Sequence, residues 1–145
     1  MRSGPRVMRA DRQQLYWDMV DLCSQIAPDH PARVVWASVE RLELAPLYDR
    51  IKARDEAAGR PTPDPKVLPA VWLHAALAGV GPARQLERLC RAHVAYSWLR
   101  GGVPVNYHGL RRFFLRGLTK ARCEALLHSI AHNLRRGHAL RMASA

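Results

Sequence analysis

Arg84, Arg88 and Arg91 recur at spacings of four and three, and Arg111, Arg112 and Arg116 follow directly behind Asn106, Tyr107 and His108. A guanidinium is a planar, permanently charged fork of N–H donors that matches phosphate oxygens and the major-groove edge of guanine. Donors repeated every three or four residues fall on one face of a helix. The first set therefore reads as a cationic stripe suited to contacting a polyanion. The second set follows Gly101-Gly102-Val103-Pro104-Val105, a sequence that stops one helix before Asn106 caps the next. On a helix beginning there, Tyr107, His108, Arg111 and Arg112 lie at or beside one face of the first two turns, where they could reach base edges. Arg84, Arg88 and Arg91 would then meet phosphates and fix the register. A merely solvated basic face is the alternative for Arg111 and Arg112.

Other chemistries find little to work with. Two-metal phosphoryl transfer requires three carboxylates from separate elements around ions about 4 Å apart. After Pro65 the chain has only Glu87 and Glu124, each within a helical pattern beside arginines. There is no Walker loop, GxGxxG, GxSxG or HExxH. His128 and His132 stand four apart, a spacing that can hold a metal, but no third ligand lies near them in sequence. Cys23, Cys90 and Cys123 are widely separated and read as small apolar side chains in a reducing compartment. Trp36, Trp72, Tyr96, Trp98, Phe113 and Phe114 sit on apolar stripes, so packing is expected of them before base stacking. The expectation is a protein that is not an enzyme, with no catalytic residues, metal or cofactor.

Charge supports the polyanion reading. The chain of 145 residues carries +11, and the excess is polarised: residues 1–60 hold ten Lys/Arg against nine Asp/Glu, whereas residues 101–145 hold eight against the single acid Glu124. Only Lys52, Lys66 and Lys120 are lysine among 23 basic residues, a bias that explains the choice of arginine but not the loss of acids. Such asymmetry points to nucleic acid first and an anionic membrane surface second. No window approaches the roughly 18 apolar residues of a membrane span, and no signal-like apolar run follows the basic N-terminus. A cytoplasmic location is expected.

The elements that must position these residues are helical throughout. Residues 10–26 carry Leu15, Tyr16, Trp17, Met19, Val20, Leu22 and Ile26 in a loose helical pattern closed by Pro28. Asp29 or His30 caps a helix with Pro31 at its first position, and Val34, Val35, Ser38, Val39 and Leu42 follow at helical spacing. Ala45-Pro46 interrupts, a short helix through Leu47, Tyr48 and Ile51 resumes, and residues 54–63, with Gly59, Pro61 and Pro63, read as a mobile loop. Asp64-Pro65 restarts the chain as N-cap and first-position proline ahead of Val67 to Ala78, the predicted central core helix, with a slight kink expected at Pro69. Pro82 opens a helix turning Leu86, Leu89 and Cys90 inward, and Val94, Tyr96, Trp98 and Leu99 occupy another short one. A last helix from Thr119 places Cys123, Leu126, Leu127, Ile130 and Leu134 on one stripe before Gly137 frays it. No alternating strand pattern occurs. The predicted class is all-α, a single domain of about six or seven helices, with Pro82 to Arg91 and Asn106 to Arg116 forming a helix-turn-helix-like unit with an enlarged connection.

Taken in order, Asp29-His30-Pro31-Ala32-Arg33, Leu44 to Tyr48, Gly59-Arg60-Pro61, Asp64-Pro65-Lys66, Trp72-Leu73, Gly79-Val80-Gly81, Leu86 to Cys90 and Ala95 to Leu99 with Gly101-Gly102 resemble the InsH-like N-terminal domain of DDE-type insertion-sequence transposases. The resemblance implies a helical domain that recognises the inverted repeats of a mobile element and precedes an RNase H-like catalytic domain. Residues 116–136 resemble the closing helix of such transposases, which implies a head joined to a tail with the catalytic core deleted near 113–116. The expected organisation is an extension over 1–28, a DNA-binding domain over 29–114 and a basic helix over 115–145. The expected function is binding of double-stranded DNA at element ends without strand-transfer chemistry. A helical interaction module that pairs with itself or with intact transposase is the alternative, and a remnant without function is the third.

Overall fold

The computed structural model describes residues 7–13, 21–49, 51, 62–113 and 118–144, with the side chains of 112, 113, 118–125 and 127 outside the description. In chain order the elements are β1 (Val7–Met8), a 3-10 turn (Leu22–Gln25), α1 (Pro31–Glu40), α2 (Ala45–Asp49), β2 (Thr62–Pro63), α3 (Val67–Leu77), α4 (Ala83–Ala92), α5 (Val94–Arg100), α6 (Tyr107–Phe113) and α7 (Leu118–Ala143). The class is all-α, as the absence of alternating patterns predicts.

Helix α3, with sequence VLPAVWLHAAL, has no polar face, so it must be covered on every side. Helices α1, α5 and α7 pack around it. Its residues 70–75 are all buried, and the Trp72 indole N–H donates to the Leu110 carbonyl at 3.3 Å, tying α3 to α6. Leu22, Val35, Leu86, Leu99 and Leu110 are fully buried in the surrounding core. Each contributes about 1.5–3 kcal/mol relative to exposure. Trp36, Trp72, Tyr96 and Trp98 all belong to this core, as their stripes predict. Phe114 lies outside the described residues, and so does the side chain of Phe113.

Several local expectations are corrected. Pro69 occupies the first turn of α3, where its missing N–H has no intrahelical acceptor to lose, and the helix runs unbroken to Leu77 without needing a kink. Asp64 does not cap α3 directly. It is buried, accepting hydrogen bonds from the Lys66 N–H at 2.9 Å and the Tyr48 hydroxyl at 2.5 Å, and its own N–H donates to the Met8 carbonyl at 3.0 Å. Burial and the bond to Asp64 raise the Tyr48 pKa above its ordinary range. The loose helical pattern over 10–26 gives no helix at residues 7–13. Val7–Met8 instead pairs in parallel with Thr62–Pro63, and among the described residues of that stretch Leu22–Gln25 turns as 3-10 helix. Residues 14–20 and 52–61 lie outside the described set. Pro82 is the N-cap of α4 and not its first residue, and α7 continues through Gly137 to Ala143.

Three arginines are structural. The Arg12 guanidinium lies 3.0 Å over the Trp36 ring and donates to the carbonyls of Ala10 and Leu99, and burial pushes its pKa down to about 10. Arg33 donates to the carbonyls of Cys23, Ile26 and Ala27, fastening the turn before α1. Arg100 donates to Cys90 and Val103 carbonyls, tying α5 to the end of α4.

Gly101 ends α5 in the left-handed region at φ 51°, and its carbonyl accepts from the Asp11 N–H at 2.9 Å. A Cβ there would stand 2.8 Å from the Asp11 nitrogen and 2.9 Å from the Ala10 carbonyl carbon. Gly79, at φ 71°, has open space around the same position. Gly79→Ala is therefore expected to lose only the conformational cost of about 1–2 kcal/mol. Gly101→Ala adds a backbone clash and is expected to lose about 2–4 kcal/mol. Urea unfolding of both variants checks this, and equal losses would contradict the close approach.

Candidate nucleic-acid interface

Helix α4 buries Leu86 and Cys90 and turns Arg84, Arg88 and Arg91 to solvent. At about 100° per residue the three span roughly 60° of arc, so they form one stripe. Burial raises the Cys90 thiol to about 12, which leaves it an inert packing group. Arg91 pairs with Glu87 at 3.0 Å, an exposed pair one turn apart, contributing about 0.3–0.5 kcal/mol.

Helix α6 packs against α4 and is held from below by fully buried Leu110. Asn106 caps it as the sequence predicts: its Oδ1 accepts from the Gly109 N–H at 2.9 Å. That use makes Asn106 a positioning residue for the helix start. Tyr107 is half-buried, with the Arg84 guanidinium 5.4 Å from its ring centroid and the His108 ring 5.6 Å away. The contact between Arg84 and Tyr107 joins the two helices at the surface. His108 and Arg111 are exposed. Arg112 lies on α6 with its side chain outside the description, and Arg116 lies outside the described residues altogether. The structure thus brings Arg84, Tyr107 and His108 together, sets Arg88, Arg91 and Arg111 on the exposed surfaces of the same two helices, and leaves no carboxylate on either helix except Glu87.

A second constellation was missed by the sequence reading. His30 and His93 each cap a helix by accepting through Nδ1, from Ala32 N–H at 3.1 Å and from Ala95 N–H at 3.2 Å. Between them sits His74 of α3, its ring 6.0 Å from His30 and 5.0 Å from Tyr96, with His93 5.5 Å from the same tyrosine. His74 Nδ1 and the Tyr96 hydroxyl are buried without partners. The positional signal names His30 as a cap candidate in the sequence, and the same signal, a short acceptor before the first apolar turn of a helix, was available at His93. His128 and His132 are exposed, and no group of three or more ligating side chains among the described residues could hold a metal.

Burial, then repulsion from His30 and His93, pushes His74 down to about 4; burial, His93 and Arg33 also lower His30. Both groups therefore take up protons more readily in the unfolded chain. Stability from this cluster is complete above the ordinary histidine value of about 6.5 and falls as pH drops below it, His74 losing its share toward pH 4 with a slope of up to about 1.4 kcal/mol per pH unit. Besides these rings, the charged neighbours are Arg33 on α1, Asp29 just before it, which opposes the lowering of His30, and Arg135 on α7, which lines the same cavity as His74. Thermal unfolding between pH 7.5 and 4.5 should show the decline, and His74→Phe should flatten it; an unchanged slope in that variant would assign the loss elsewhere.

No known protein family, curated protein or solved structure matches this chain.

Proposed function

We propose that this chain is a helical DNA-binding module in which α6 reads the duplex and α4 seats it on the phosphate backbone. The observation that carries the reading is the packing of α4 against α6 with Arg84, Arg88, Arg91, His108 and Arg111 all exposed. The lone carboxylate of the two helices, Glu87, is taken by Arg91. A cationic surface without acids releases condensed counterions on binding a polyanion, which drives association. The resemblance to insertion-sequence transposases agrees with this arrangement and supplies the target class, the ends of a mobile element. Among the described residues no three ligating side chains come together, and after Pro65 the chain has only Glu87 and Glu124, so binding is proposed without strand-transfer chemistry.

Fluorescence anisotropy on a duplex selected from random sequence, against a scrambled one, tests the reading over a salt series. Arg111→Ala is expected to cost about 1–3 kcal/mol on the selected duplex and little on the scrambled one, because it removes a base-edge contact. Arg88→Ala should weaken both alike and lower the salt slope by about one. Affinity independent of both salt and sequence would end the proposal.

Helix α7 favours a second reading. Leu126 and Leu140 are each 62% exposed and Ile130 is 37% exposed, and the three fall within about 80° of one helical face. We propose that this face pairs with a second copy or with an intact transposase. Sedimentation should show association of the wild type that Ile130→Asp abolishes; a monomer in both cases removes this reading.

A further inference from the structure

Packing between α1 and α7 is incomplete. α7 sets Ala131 and Leu134 against the core, but two adjoining cavities of about 280 Å³ and 260 Å³ run along the seam and share Val34, Leu134 and His138. They form one trough with unlike ends. The inner end is walled by Val34, Val35, Leu77 and Leu134, and His74, nine-tenths buried, lines it with its Nδ1 unpartnered. Arg135, also lining that end, is engaged by the Leu77 carbonyl. The outer end presents Arg41 and Arg141 across the seam, with Ser38 and Asn133 between the helices. Both arginines are exposed and neither makes an ion pair among the described residues. No carboxylate lines either cavity.

We propose that this trough binds a free medium-chain carboxylate, its hydrocarbon tail on Val34, Val35, Leu77 and Leu134 and its head between Arg41 and Arg141. Each cavity lies just below the usual range for small-molecule sites, about 300–1,000 Å³, too small for a docked helix. Two guanidinium forks in a trough that no carboxylate lines select an anion, and a carboxylate matches their bidentate geometry. The walls of the inner end select an alkyl chain. The proposal is independent of the nucleic-acid reading, since neither Arg41 nor Arg141 lies on α4 or α6.

Isothermal titration of the full chain with octanoate, hexanoate, 1-octanol and octylammonium, all below self-association, tests it. Octanoate should bind one to one and exceed hexanoate by about fifteenfold, two methylenes at about fourfold each. Octanol and octylammonium should bind at least tenfold more weakly. Arg41→Gln with Arg141→Gln should weaken octanoate at least tenfold and leave octanol unchanged. Gly137, which lines the outer end and has open space around its Cβ position, can be changed to leucine, a better helix former. That variant should stay folded by circular dichroism and lose octanoate. Absence of saturable octanoate binding, equal binding of the uncharged or cationic analogue, or unchanged affinity in both variants would overturn the proposal.

Discussion

A helix with no wet face sets the terms for everything around it. Because α3 is apolar on all sides, the chain must spend the inner stripes of α1, α5 and α7 on covering it, and only then can polar groups face water. The burial of Trp72 ties this demand to α6, whose Leu110 carbonyl accepts the indole N–H. The outer surfaces of α4 and α6 are thereby released from any packing duty. Their arginines are free to be cationic without weakening the core, and α6 is nonetheless fixed in place.

The polar groups inside this shell are as telling as the apolar ones. Asp64 links the Met8 strand through its backbone N–H, and the Tyr48 hydroxyl and the turn before α3 through its carboxylate, so one buried residue holds three segments of the chain together. His30 and His93 serve as caps only in their neutral form, since a protonated imidazole has no acceptor left to offer. The fold therefore relies on uncharged histidines at two helix starts, with a third enclosed between them.

Much of this was legible in the sequence, and the exceptions have physical causes. The glycine pair at 101–102, the Asn106 cap and the all-apolar run of α3 each reflect local chemistry, so periodicity and capping rules located them. The failures concern side chains whose roles are set by distant partners. Nothing adjacent to Arg12 in sequence reveals Trp36, and nothing near Asp64 reveals Tyr48 or Met8. Over 21–26 the loose pattern gives no α-helix, because Leu22 and Ile26 are buried by tertiary contacts around a 3-10 turn. For the site, spacing alone identified the stripe Arg84, Arg88 and Arg91. The contact of Arg84 with Tyr107 depends on how α4 crosses α6, which spacing does not encode.

The structural arginines carry a consequence for how this sequence can drift. Arg12, Arg33 and Arg100 use the planar fork itself, stacking on indole or dividing several N–H donors among backbone carbonyls, and a lysine offers neither plane nor fork. At Arg84, Arg88 and Arg91 an ammonium would still present positive charge to solvent. Across diverging copies of this chain, arginine-to-lysine exchange should thus accumulate on α4 and be purged at the three interior sites. The record of that one exchange would separate the cations that build the interior from those that face outward.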